Sequence, residues 1–201
     1  IPMFKLSILY EHITTYYCIY VMYKLLYWLK KHIKEKMKIL LIEPYYTGSH
    51  KKWAEGLKKY SSHHVKILSM KGQFWKWRMH GGSVTLANMF NNMDWKPDLI
   101  LSTDMLNLTT FLALAKIKSY GIPTAIYFHE NQISYPWSPR DRDVLNKRDN
   151  HYGFINYASA LSADKVFFNS NFHLETFLDD LKTFLKNFPD NNETKSIDLI
   201  K

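Results

Sequence analysis

Five short runs constrain this chain most: KILLIE (Lys38 to Glu43), VKILSM (Val65 to Met70), DLILST (Asp98 to Thr103), TAIYFHE (Thr124 to Glu130) and DKVFFNS (Asp164 to Ser170). Each is of strand length and apolar through its centre, without the alternation of a strand that keeps one face in water. Such runs mark strands covered on both faces. The segments between them are long enough for helical crossovers, so the strands must pair in parallel. KKWAEGLKKY places Trp53, Leu57 and Tyr60 on one helical face, and LNLTTFLALAKIKSYG reads as a helix stopped by Gly121. A helix from about Asp149 sets Tyr152, Asn156 and Ser159 on one side, and Asn171 is placed to cap a last helix closed by Pro189. The order predicts an α/β fold with a Rossmann-like, doubly wound parallel sheet. In such sheets ligands sit beyond the carboxyl ends of the strands.

Composition agrees with one such domain. The 201 residues are 46% hydrophobic and 16% aromatic, ample for a core and against disorder. A lone cysteine, Cys18, allows no internal disulfide and belongs to no zinc-type spacing, which points to a reducing compartment. The net charge of +9 is compatible with an anionic partner such as a nucleotide or RNA and diagnostic of neither.

The first 36 residues differ from the rest, with six lysines against two glutamates around the uncharged run ITTYYCIYVMY. That run is too short for a spanning helix, and its flanks are wrong for a secretory signal. Three readings stand: a membrane-surface or signal-anchor helix, an ordered helical extension, or upstream sequence in front of a start at Met37. The last is favoured, because MKILLIEPYYTGSH opens a fold cleanly. Residues 37–190 then form the domain, and 191–201 begin a linker.

The polar residues fall in blocks at the strand ends. His129, Glu130, Asn131 and Gln132 end the fourth strand and precede SYPW, which could stiffen their loop. YYTGSH follows the first strand: Gly48 allows close backbone approach, Ser49 can cap the helix, and a helix N-terminus offers free N–H groups to a phosphate. Taken alone this is a structural turn, since neither a dinucleotide fingerprint nor a P-loop is present. QFWKWRMHGG places Trp75, Lys76, Trp77, Arg78 and His80 on a loop before a helix, a set suited to stacking on bases or sugars with cations beside phosphate, or to plugging a sheet edge. The charged run from Arg140 to Asp149 balances its signs and reads mostly as a solvated face. Asn169 and Ser170 close the fifth strand. Every block lies on the same rim.

Together, MKILLIEPYYTGSHKKWAEGL, KWRMHG, STDMLNLTTFLAL, YFHENQISYP and VFFNSNFHLETFL resemble the N-terminal domain of the tRNA-queuosine α-mannosyltransferase family, over about Met37 to Phe188. Five motifs in the same order make this a specific likeness. It implies the N-terminal half of a retaining GT-B glycosyltransferase of family four: two Rossmann-like domains across a cleft, with no cofactor and no obligatory metal. The implied reaction transfers mannose from GDP-mannose to queuosine in the anticodon of tRNA-Asp. By the same resemblance Gly48, Ser49 and His50 would approach the donor diphosphate, and His129 with Glu130 would serve the reacting centre. Trp75, Lys76, Trp77, Arg78, His80, Asn131, Gln132, Asn169 and Ser170 would face the acceptor tRNA. Most donor contacts in such enzymes come from a C-terminal domain, so this chain alone is expected to be inactive. It is expected in the cytoplasm, and also the nucleus, without stable membrane association. Rival readings are another GT-B transferase acting on lipid or polysaccharide, a non-catalytic tRNA-binding module, and a folded fragment with no function of its own.

Overall fold

The structure, a computed structural model, describes residues 36–146, 150–189 and 191–200. The leader up to residue 35, and Lys147, Arg148 and Asp149 of the charged run, lie outside them.

The five apolar runs form the five strands expected: β1 (Lys38–Tyr46), β2 (His64–Lys71), β3 (Leu99–Thr103), β4 (Thr124–Phe128) and β5 (Lys165–Phe168). All neighbouring pairs are parallel, in the order β2-β1-β3-β4-β5. The helices are α1 (Gly48–Tyr60), α2 (Trp75–Asn91), α3 (Leu108–Leu114), α4 (Lys116–Ser119), α5 (Arg142–Leu145), α6 (Asn150–Ser162) and α7 (Asn171–Leu185), followed by a 3-10 segment Asn191–Leu199.

Consecutive residues of β1 divide between two cores. Ile39 and Leu41 face Trp53 and Leu57 of α1, while Leu40 and Ile42 face Leu86 and Phe90 of α2, Phe111 of α3 and, farther across the sheet, Phe177 of α7. That division is why the strands show no polar alternation. The chain runs β1 to β2, then returns past β1 to build β3 on its other side. The carboxyl ends of β1 and β3 therefore flank the switch point, where such sheets hold ligands.

Local boundaries differ from expectation where packing overrides local pattern. Trp75 to His80 are helical: α2 begins at Trp75, with Phe74 at its N-cap and no loop between. Thr47, not Ser49, occupies the N-cap of α1, and its side chain makes no capping bond. Ser170, not Asn171, caps α7, its hydroxyl accepting the N–H of His173 at 3.1 Å. The helix drawn to Gly121 breaks at Ala115, with Gly121 at φ +71° in the turn beyond. α7 ends at Leu185, before Pro189. Tyr60 lies past the buried stripe of α1 and is exposed.

The predicted stripe of α6 is fully engaged, with Tyr152, Asn156 and Ser159 all buried. At Gly153 the helix crosses α7 so closely that a Cβ would lie 2.9 Å from the Phe184 ring and 3.0 Å from Ile133. Gly153→Ala is expected to cost about 1–3 kcal/mol through overpacking, read as a lower midpoint in urea unfolding. An unchanged midpoint would show that Phe184 gives way freely.

Candidate active site

The site is assembled around a buried carboxylate. Glu43 ends the apolar part of β1 with 0% exposure, and a buried charge must find partners. Its Oε1 accepts the N–H of Tyr45 at 2.9 Å, and its Oε2 lies 3.1 Å from Nδ1 of His50. Gly48, at φ +52°, supplies the left-handed turn that brings His50 back over the strand end.

Across the switch point, Asp104 follows β3 and is also buried. Its Oδ1 accepts the N–H of His129 at 2.9 Å, which fixes the backbone where β4 ends. The His129 ring then lies against His50, centroids 4.2 Å apart. Trp53 stacks on Tyr127 at 4.3 Å, and both present edges to His129 at 5.0 and 4.8 Å. Nε2 of His129 is buried and has no hydrogen-bond partner among the described residues.

The two imidazoles carry different charge. Burial works against a proton on His50, but the Glu43 hydrogen bond and the carboxylates of Asp104, Glu43 and Glu130 outweigh it and lift the pKa to about 9. Burial, then the charges of His50 and His173, drives His129 the other way, well below the ordinary histidine range. Burial raises Asp104 to about 7, with His50 and the His129 N–H acting against it, and burial likewise raises Glu130. Near neutral pH the pair is one imidazolium facing one neutral imidazole, and the unpartnered Nε2 of the neutral ring is buried. Glu43, His50 and His129 also form the one group among the described residues whose donor atoms, all within 4.8 Å of one another, could close on a metal ion.

The loop after β4 is held from two sides. Asn156, with 0% exposure, accepts the N–H of Gln132 at 2.7 Å and donates to the carbonyl of Asp104 at 2.8 Å. On the other side Asn169 donates to the carbonyl of His129 at 2.7 Å. Asn169 Oδ1 lies 3.0 Å from Nδ1 of His173, whose Nε2 lies 2.7 Å from the amide nitrogen of Asn131. Burial lowers the pKa of His173 to about 4. It is therefore neutral, with Nδ1–H donating to Asn169 and Nε2 accepting from Asn131. Asn131 Oδ1 in turn accepts the N–H groups of Ile133 and Ser134.

The expected residues thus separate by position. Gly48, Ser49, His50, His129 and Glu130 gather at the switch point. Asn131, Gln132, Asn169 and Ser170 are bound into the scaffold of the loop. Trp75 packs with Trp137 and Tyr152 at 5.4 and 5.2 Å. The amine of Lys76 is held by Asp141 at 2.6 Å and Asp143 at 2.5 Å, so the charged loop neutralises it. His80 meets His151 of α6 at 3.0 Å. Trp77 is exposed.

Glu43, Trp53, Asp104, Asn156 and His173 were not singled out as site residues from the sequence. Glu43 carried a signal, a carboxylate ending an unbroken apolar strand. His173 carried none, because it reads as one more polar position on an amphipathic helix.

The Glu43–His50 pair sets a pH dependence. The folded chain keeps the His50 proton up to about pH 9, whereas an unfolded histidine loses it near 6.5. Between these values the folded state holds the extra proton, so this contribution is full below about pH 6.5 and is lost as pH rises through 9. Thermal melts should fall more steeply from pH 7 to 9 in the wild type than in Glu43→Gln. Equal slopes would mean that Glu43 does not hold the proton.

No solved structure matches the chain. A protein of Drosophila melanogaster named tRNA-queuosine alpha-mannosyltransferase is 35% identical over 156 residues, which cover 77% of this chain and 40% of that protein. The chain thus spans well under half the length of that relative. Residues 38–201 match the family model described as tRNA-queuosine alpha-mannosyltransferase N-terminal. A parallel sheet with its polar residues gathered at the β1–β3 switch point, and a match along nearly all of that sheet and its helices, place the chain in the tRNA-queuosine alpha-mannosyltransferase family.

Proposed function

We propose that the chain is the acceptor-side half of a retaining GT-B glycosyltransferase that transfers mannose from GDP-mannose to queuosine in the anticodon of tRNA-Asp. Family membership supports the reaction class, and the relative's name supports mannose and queuosine. The observation that carries the reading is the facing pair of His50 and His129 at the switch point, 4.2 Å apart between ring centroids.

The two rings suit the two halves of the reaction. In retaining transfer without a covalent intermediate, the acceptor hydroxyl attacks the anomeric carbon from the face the diphosphate leaves. The C–O bond to phosphate breaks, the new glycosidic bond forms, and the hydroxyl proton passes to the departing phosphate or to a nearby base. His50 supplies a fixed positive charge, and the first turn of α1 supplies free N–H groups, where the diphosphate gains charge. His129 is neutral, with a free ring nitrogen, and suits an acceptor hydroxyl that needs a hydrogen-bond acceptor. Holding the two in one rigid frame provides the positioning on which such a reaction depends. Glu130 lies beside them on the acceptor side.

In the two-domain architecture the opposite wall, with most donor contacts, belongs to a C-terminal domain. The 201 residues alone are therefore expected to show no turnover with GDP-mannose and queuosine-containing tRNA. In a chain of the relative's length, His129→Ala should lower transfer about 100-fold or more while tRNA binding survives, measured by sugar incorporation and filter binding. Loss of both would make His129 a folding or binding residue instead.

The expected cytoplasmic and nuclear location forms part of the same proposal. Among the described residues, no helix is long and apolar enough to cross a membrane.

A further inference from the structure

The start of α2 divides its aromatic residues. Trp75 turns inward, into the cluster with Trp137 and Tyr152. Its neighbours do the opposite, with Phe74 76% exposed and Trp77 63% exposed. Phe74 also has φ +54° and ψ +53°, the only positive φ of a non-glycine residue described. A bulky side chain in that region is strained, and strain that persists points to function. Trp77 lies across the bare Cα of Gly81, where a Cβ would come within 2.4 Å of the indole. One ring is thus held out at an energetic cost, and the other is seated on a glycine that leaves it room.

Basic residues neighbour both rings in the chain, Lys71 ahead of Phe74 and Arg78 next to Trp77. Arg78 donates from Nε to the carbonyl of Lys71 at 3.1 Å, and the Lys71 side chain is exposed. Lys71 pairs in register with Tyr46, and the amine of Lys51 stands 5.7 Å over the Tyr46 ring. The patch is continuous with the candidate site, because a Cβ at Gly72 would meet Thr47 of the β1–α1 turn at 2.3 Å. Exposed rings with lysine and arginine close by in the chain are the composition that stacks unpaired bases while meeting their phosphates. A partner protein core would favour fewer charges at this spot.

We propose that Phe74 and Trp77 form a stacking platform for unpaired bases of an RNA, with Lys71 and Arg78 at its phosphates, beside the reacting centre. The platform names how the acceptor is gripped and so rests on the reading above that the acceptor is RNA.

The test is fluorescence anisotropy of the chain with a labelled RNA hairpin carrying an unpaired loop, against a fully paired duplex of the same stem. Wild type should prefer the looped RNA. Phe74→Gly and Trp77→Ala should each weaken loop binding by about 5-fold or more, the effect of losing one stacked base, with duplex binding little changed. Tyr120→Ala is the control, 84% exposed in the turn leading into the amino end of β4, away from the carboxyl ends of the strands. Phe74→Gly should melt at or above the wild-type temperature, because glycine relieves the strain.

Undiminished loop binding in both variants overturns the proposal, as does equal loss on loop and duplex, which would make the effect electrostatic. A lower melting temperature for Phe74→Gly would make the ring a packing element and also overturn it. So would sedimentation showing that either variant dissolves a self-associated form. Failure of sugar transfer in the longer chain, with loop binding and its loss in the variants intact, would sink the mannosyl reading alone.

Discussion

One buried carboxylate organises the functional end of this molecule. Glu43 sits at the end of a strand covered on both faces, where an unpaired charge would cost several kcal/mol. Satisfying it requires the N–H of Tyr45 and the ring of His50, and reaching His50 requires the chain to turn sharply at Gly48. That turn starts α1, and α1 carries Trp53 onto Tyr127. Compensating the carboxylate thus places a charged imidazole, a helix N-terminus and an aromatic wall at one strand end.

The opposite side of the site is held by a different device. His129 and the loop after it are gripped through the backbone, by Asp104 and Asn156 on one side and by Asn169 on the other. His173 and Asn131 extend that grip into the loop, so most of its amides serve its shape. This leaves Nε2 of His129 buried without a hydrogen-bond partner among the described residues, while the half-buried Glu130 accepts from Gln132 at 3.5 Å. Burial suppresses charge on His129 while the surrounding carboxylates enforce it on His50. Two identical side chains thus acquire different chemistry from position alone.

The same division of labour explains the start of α2. Trp75 and Lys76 are consumed internally, the ring by an aromatic cluster and the amine by Asp141 and Asp143. This latches the charged loop, which had read as a solvated face, onto α2. Of the phenylalanine and tryptophan side chains there, Phe74 and Trp77 remain facing water, and one of them is held there against its backbone preference. Local composition could not separate these neighbours, because inward and outward aromatic residues look alike until the helix phase is known.

The sequence by itself determined the five strands, their parallel pairing and the rim on which the polar blocks gather. Strand hydrophobicity and crossover length are local properties that leave few topologies open. It also marked His129, because polar groups that end a buried strand stand out against it, whereas His50 entered through the family resemblance. Only the tertiary structure decided that Glu43 and Asp104 are buried, since each is an ordinary strand-end carboxylate until β3 is laid beside β1. It alone decided that His173 is structural, that Lys76 is neutralised and that the two central histidines differ in charge. These properties depend on distances between residues far apart in the chain, and burial and charge are set by those distances rather than by sequence neighbours.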